Sequence, residues 1–467
     1  MKKETSLKAL LWIVSAGFFM QTLDTTIINT ALPSIAASLH KNALDLQPVI
    51  VAYSLTMAML TPASGWLADR FGTRRLYFTA ILVFAIGSLL CAMSQTLGQL
   101  IAARVLQGIG GSMLLPIGRL ALLRSYPAVL YIAAITSASI AGQTGPLIGP
   151  VLGGWLVEAI SWHWIFLINL PISLIGCAAV LIFLPREDRL PHAIARFDLP
   201  GFALLSTCMV TFSLGLDGVG GNKSWLWSAA MLGASAVLVA VYIQWARLKE
   251  NPLFALSLFR QRTFALGLAG NLIARIGGNA VMFLMPLLFQ LELGMSALQA
   301  GMMMLPTALA AVGIKRFIVP LVKAYGYRKF LIVNTMLVAA GTIAFVTVSA
   351  SLPIWVIVLQ LGLFGAFNSM QNGAMNSVTL KDLSLRDASS GNSLYSMAQM
   401  LAVGLGVTTG GALVKLLSSA WSDPMLAFRV TFVLLGLITV AAAGVFASMK
   451  PNPNRNAAAP VMDVMED

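Results

Sequence analysis

The sequence predicts an all-α polytopic membrane protein, and three observations carry that prediction. Of 467 residues, 58% are hydrophobic and 10% charged, with mean hydropathy +0.84. A soluble domain carries about 25% charged residues, so too little polar surface is present to cover a water-soluble globule. Apolar runs of about 20 residues, the length a helix needs to cross the hydrocarbon core, recur fourteen times. Basic residues then gather in alternate connectors, as topology in a bilayer demands. A soluble enzyme, a disordered chain and a free nucleic-acid binder are excluded, because the charge deficit runs the whole length.

In chain order the runs lie near 10–33, 48–68, 76–94, 98–118, 129–157, 163–184 and 199–216, then 225–246, 263–290, 297–314, 330–350, 353–376, 388–417 and 427–449. The first follows Lys2 and Lys3 like a secretion signal, but its apolar stretch continues to about Leu32 without a small-x-small cleavage site. It reads as an uncleaved span. With the N-terminus placed in the cytoplasm, 24 of the 30 Lys and Arg fall in inside segments. Outside lie Lys41, Lys223, Lys415 and Arg429, while Arg104 and Arg275 fall within spans. An odd miscount would scramble this alternation, so both termini are expected to be cytoplasmic. The net charge of +13 comes from short scattered clusters, so no nucleic-acid partner is expected.

A repeat is superimposed on the spans. Gly65-Trp-Leu-Ala-Asp69-Arg70-Phe-Gly72-Thr-Arg74-Arg75 is echoed 254 residues later around Val319, Lys323, Gly326, Arg328 and Lys329. Gly153-Gly154-Trp-Leu has a weaker echo at Gly410-Gly411-Ala-Leu. Two pseudo-symmetric six-helix bundles separated by two extra spans give such an offset, and parallel repeats of this kind build transporters. The expected division is residues 1–190 for the first bundle, 191–262 for two extra spans with cytoplasmic connectors, 263–450 for the second bundle and 451–467 for a cytoplasmic tail.

Ionisable groups at membrane depth cost about 2.5–3.5 kcal/mol each on insertion scales, so each needs a partner, water or a job. Three look deep: Asp24, Arg104 and Arg275. Arg104 is followed by Gln107, Gly108 and Gly111 at i+3, i+4 and i+7, one helical face. Asp24 reads either as a carboxyl that gains and loses a proton beside Arg104, or as half of a permanent packing ion pair. Arg275, with Asn271 one turn earlier, reads either as a receiver of an anionic substrate group or as a packing residue. Gln107, Asn271 and Arg275 are the expected substrate-cavity residues.

Gly142, Gly145, Gly149 and Gly153 form a stripe on the fifth span, interleaved with Pro146 and Pro150 and followed by Gly154. Small faces let helices approach closely, and prolines bend a helix by removing backbone hydrogen bonds. The stripe reads as a packing face, and as a gating one. In Gly65 to Arg75 the bases satisfy the charge rule, but Asp69, Gly65 and Gly72 go beyond it. A carboxylate held by neighbouring bases or a helix N-terminus is the expected conformational latch. Cys91, Cys177 and Cys208 form no C-x-x-C pair, His40, His163 and His192 no cluster, and no phosphate-binding glycine loop is present. No metal, cofactor or catalytic site is expected.

These residues resemble the major facilitator superfamily, specifically its fourteen-span drug:proton antiporter branch, the EmrB/QacA-like exporters. Gly65 to Arg75 is similar to the family's cytoplasmic-loop signature, and Arg104, Gln107, Gly108 and Gly111 to its fourth-span signature. Gly142, Gly145, Pro146, Gly149, Pro150, Gly153 and Gly154 resemble its antiport-associated fifth-span signature. Leu23 to Pro33 and Trp162 to Pro171 are similar to signatures of the first and sixth spans. The resemblance implies two bundles around a central cavity, with Asp24 and Arg104 as proton-coupling residues. The second half departs from it: Lys323 stands where Asp69 would recur, Val319 where Gly65 would, and Val407 opposite Pro150.

The expected function is proton-coupled export of an amphipathic small molecule across a bacterial inner membrane. The energy source is the proton gradient, and the partners are lipid, protons and substrate. A monomer is expected, with an accessory partner left open. A dedicated metabolite or siderophore carrier, exporting or importing, is the alternative, and a non-transporting sensor or scaffold a third reading.

Overall fold

Inside a bilayer no water satisfies backbone N–H and C=O groups, so a chain this apolar has to close its hydrogen bonds within helices. The computed structural model describes residues 2–184, 197–219, 224–383, 388–421 and 423–449, and all regular structure among them is helical. The spans are α1 (Lys2–Ser38), α2 (Ala43–Phe71), α3 (Thr73–Ala92), α4 (Leu97–Ser125), α5 (Ala128–Ala159), α6 (Trp164–Phe183) and α7 (Leu199–Val219). There follow α8 (Trp225–Leu248), α9 (Arg262–Leu291), α10 (Ala297–Tyr325), α11 (Tyr327–Thr347), α12 (Ile354–Leu380), α13 (Ala388–Ala420) and α14 (Pro424–Ala447). Thirteen of these are apolar and long enough to cross a membrane over their described residues, and the 32-residue α5 joins them by length. The expected tail at 451–467 and the basic connector between α6 and α7 at 185–196 lie outside the described residues.

Helix lengths differ from the apolar runs at the charged ends. α1 begins at Lys2, eight residues before its apolar run, because backbone hydrogen bonding continues where lipid burial stops. α10 likewise reaches Tyr325, so Lys315 and Lys323, expected in a loop, are helical. α2 and α10 are interrupted at matching places by short 3₁₀ turns, Thr61–Ala63 and Ile314–Phe317.

The packing repeats as the sequence does. α1 lies along α5 as α9 lies along α13; α2 and α3 pack on α4 as α10 and α11 pack on α12; α3 meets α6 as α11 meets α14. α7 and α8 pair with each other. The two bundles meet reciprocally, α2 against α13 and α5 against α10. Gly72 (φ 83°) and Gly326 (φ 74°), one repeat apart, both hold the left-handed backbone that glycine alone adopts freely. The two turns mark one end of the molecule, called here the Gly72 end.

At the opposite end an apolar cluster runs through both bundles, from Leu32 and Ile35 of α1 to Leu284 and Leu288 of α9 and Val414 of α13. Polar contacts seal the same end. Lys415 of α13 pairs with Asp45 of α2 at 2.7 Å, and the Leu298 N–H at the start of α10 donates to Glu158 Oε1 of α5 at 2.6 Å. A carboxylate suits that position, because the first N–H groups of a helix lack intrahelical partners.

Candidate functional site

α1 presents opposite faces to two neighbours. Thr22, Thr26 and Thr30, four residues apart, face α5, while Asp24, about 200° round the helix from Thr22, faces α4. Gly145 and Gly149 lie so close to α1 that an added Cβ would overlap the hydroxyls of Thr22 and Thr26, and one at Gly153 would overlap the Ile27 carbonyl. A Cβ on Gly142 would stand 3.3 Å from Phe18 Cβ. Pro146 has no N–H to offer the carbonyl four residues back, which is Gly142's. Thr22 Oγ1 donates to that carbonyl at 2.6 Å, the shortest of its three available acceptors. Thr30 Oγ1 likewise reaches the Pro150 carbonyl at 3.2 Å. Gly154 faces the other way, against the Ala297 backbone of α10. The stripe therefore binds α1 within the first bundle, and its last glycine meets the second.

Asp24 is 1% exposed and Arg104 fully buried. Arg104 Nη1 donates to Asp24 Oδ2 at 2.7 Å and to Gln107 Oε1 at 2.6 Å, and its Nε to the Val49 carbonyl at 3.2 Å. Gln107 Nε2 donates to Asp24 Oδ1 at 2.8 Å and to Ser88 Oγ at 2.7 Å, while Asn169 Nδ2 reaches the same Oδ1 at 3.2 Å. The guanidinium lies 4.0 Å from the centre of the Tyr53 ring, a cation–π contact. Five spans, α1 included, thus contribute to one network, and two of them, α4 and α6, touch the carboxylate itself. Gly87 and Gly108 make this fit: a Cβ on Gly87 would approach Gln107 Cα to 2.5 Å, and one on Gly108 the Tyr53 carbonyl to 3.0 Å. A buried ion pair overcomes its desolvation only when the remaining lone pairs and N–H groups find partners. Here both carboxylate oxygens do, while Arg104 Nη2 and Asn169 Oδ1 have none.

A separate cavity of about 530 Å3 lies between α5 and the second bundle, toward the Gly72 end. Arg275 lines it, as do Pro146 and Gln143 of α5. Gln107 does not, being consumed in the Asp24 cluster, and Asn271 sits behind Arg275, accepting its Nε–H at 2.8 Å. Of the three residues expected in the cavity, only Arg275 faces it.

The Gly65 to Arg75 segment forms the end of α2, the Gly72 turn and the start of α3. Asp69 pairs at 2.6 Å with Arg124 at the end of α4, rather than with its neighbouring bases. Arg124 also donates to Thr73 at 2.8 Å. Arg70 lies 5.4 Å from the Trp66 ring centre, and Arg74 donates to the Leu181 carbonyl of α6. No atom stands within 4 Å of a Cβ on Gly65. All these contacts stay within the first bundle.

Sequence reasoning missed Ser88 and Tyr53 around Asp24, held Asn169 only as part of the sixth-span resemblance without a role, and missed Thr22, Thr26 and Thr30 beneath the glycine stripe. The threonines had a signal in their repeated four-residue spacing. The others are single polar residues in apolar runs, whose meaning depends on which helices touch.

A family model described as Major Facilitator Superfamily matches residues 14–407 and 268–463. Over 456 residues the chain is 45% identical to the protein named "Putative multidrug resistance protein MdtD" of Escherichia coli strain K12, covering 96% of both chains. The same figures hold for proteins of that name from Shigella boydii serotype 18 and Escherichia fergusonii. Among solved structures, a D-xylose-proton symporter superposes with a TM-score of 0.69 at 16% identity, covering 95% of this chain and 98% of that one. The nucleoside transporter NupG does so with 0.62 at 16% identity, covering 94% and 98%. At such identities these two show the fold.

Proposed function

Because this chain belongs to the major facilitator superfamily, we propose that it is a proton-coupled secondary exporter that moves amphipathic small molecules, drugs among them, across the bacterial inner membrane. The name of its 45%-identical relatives supports the cargo class. The observation that carries the coupling is the Asp24 carboxylate, buried in the first bundle and bound at 2.7 Å by Arg104. Asp24 has no contact with the cavity in this conformation, so proton exchange requires a second one. α1 carries Asp24 on one face and packs against the glycine stripe of α5 on another, and α5 in turn lines the cavity. Rocking of the bundles moves α5, strains the α1–α4 contact, and opens the ion pair to water. Protonation of Asp24 then frees Arg104, and the stored proton is released when the cavity returns to the cytoplasm.

The Gly72 end faces the cytoplasm in this reading, with both termini, and the chain works as a monomer. Its proton gradient suffices: each charge crossing yields about 2.3 kcal/mol per 100 mV. The alternative, a dedicated metabolite carrier, is favoured by one observation, the arginine facing the cavity. The test of coupling is transport of a fluorescent dye in proteoliposomes under an imposed pH gradient. Asp24→Asn is expected to lower gradient-driven accumulation by about a hundredfold; full accumulation with that variant would show that coupling lies elsewhere.

A further inference from the structure

The cavity between the bundles holds three cations, Arg275 of α9 and Lys315 and Lys323 of α10, and no Asp or Glu lines it among the described residues. None of the three takes part in an ion pair among the described residues. The contrast with Arg104 is direct. There a buried guanidinium is met by a carboxylate, whereas Arg275 is offered only neutral oxygens, the amide of Asn271 and the hydroxyl of Tyr395, and Lys315 the amide oxygen of Gln143. Arg275, the one of the three at membrane depth, is expensive there without a counter-charge. Since it faces the cavity, it obtains that counter-charge from what enters, with the exposed Lys315 and Lys323 adding to the positive field. An organic cation would meet three like charges there and no carboxylate among the described lining residues.

The remaining walls fit the same visitor. α12 places Asn368, Asn372 and Asn376 along the cavity at four-residue intervals, one edge of a helix. Amides both donate and accept hydrogen bonds, so they serve a polar head of varied shape. Met282, Ala308 and Ile318 give an apolar wall. Lys323 stands one repeat after Asp69, so the cavity's mouth carries a base where the first half carries an acid.

We propose that the cavity selects amphipathic organic anions, with a carboxylate or sulfonate group held by Arg275 and Lys315 and an apolar body against Met282, Ala308 and Ile318. This deepens the transport reading and rests on this cavity being the transport site. An anion leaving a negatively charged interior is assisted by the membrane potential, while an incoming proton neutralises Asp24 at a separate place.

The test uses two probes that share a ring and differ in the sign of charge, 2-naphthalenesulfonate and 2-naphthyltrimethylammonium. Each is titrated calorimetrically into the purified full chain in detergent. The sulfonate is expected to bind at least about tenfold tighter, and to lose about tenfold or more in Arg275→Gln while Arg275→Lys keeps most of the affinity. Lys315→Gln, a change at an exposed position, should weaken the sulfonate severalfold and carries the test if the Arg275 variants do not fold. Arg316→Gln, which removes the neighbouring charge outside the cavity lining, should change nothing. Equal affinity for the two probes, no measurable sulfonate binding, or indifference to both Arg275→Gln and Lys315→Gln would overturn the proposal. No gradient is present, so the outcome is independent of whether Asp24 couples transport to protons.

Discussion

Around Asp24 each residue is worth what its partners make it. Removing one member of a fully buried ion pair leaves an uncompensated charge and costs about 3–5 kcal/mol, whereas removing both leaves only unfilled hydrogen bonds. Arg104→Gln is therefore expected to lower unfolding stability by about 3 kcal/mol, and Asp24→Asn combined with Arg104→Gln to recover much of that loss. Thermal unfolding of the single and double variants in detergent checks this; strictly additive losses would mean that the pair is not energetically coupled. The charge pair was legible in the sequence because deep acids and arginines are rare in spans. Its remaining shell was not, since Ser88 and Asn169 look like any isolated polar residues until α3 and α6 are seen to touch α1 and α4.

At the scale of the helix, two sets of glycines that look alike in sequence behave differently. Gly145 sits where a side chain would run into Thr22 Oγ1 and come within 2.6 Å of the Leu23 nitrogen, whereas Gly65 faces open space. Gly145→Ala is expected to cost about 1–3 kcal/mol through overpacking of α1 against α5, and transport should fall with it. Gly65→Ala removes a helix-breaking residue from the end of α2 and should stabilise this conformation by up to about 1 kcal/mol. If Gly65 is needed in another state of the cycle, the variant will be more stable yet slower. Melting temperature and dye transport, measured on both variants, separate the two roles. The threonines beneath the stripe show why α5 tolerates its prolines, since a neighbouring helix supplies the hydrogen bond that Pro146 removes.

For the molecule as a whole, the extra pair α7 and α8 is anchored by Asp198, which is buried just before α7. Its carboxylate accepts hydrogen bonds from Lys249 at 2.8 Å, Trp245 at 3.0 Å, the Leu253 N–H at 2.9 Å and the Gly201 N–H at 3.2 Å. Burial pushes this carboxyl up, but the hydrogen bonds outweigh it and hold the group below its ordinary value. A depressed folded value means that the stabilisation is full above the unfolded carboxylate pKa of about 3.9 and is lost as pH falls through the folded one. Wild type should thus lose stability on acidification below about pH 4 more steeply than Asp198→Asn, as melting curves from pH 7 downward will show; parallel curves would exclude the anchor. The seal at the opposite end is of a different kind. The Asp45–Lys415 pair is more than a third exposed and exposed pairs contribute little, so the apolar cluster of both bundles holds that end shut. Composition and charge alternation settled that the chain is a bundle of membrane helices, because bilayer thickness and the cost of burying charge act on sequence directly, and the echo of Gly65 to Arg75, 254 residues later, marked the repeat. Only the tertiary structure decided that Gln107 serves Asp24 rather than the cavity, that Asp69 meets Arg124, and that Arg275 faces open space with lysines beside it. Those outcomes depend on which faces of distant helices meet, and helical period places a residue on a face without naming its neighbour.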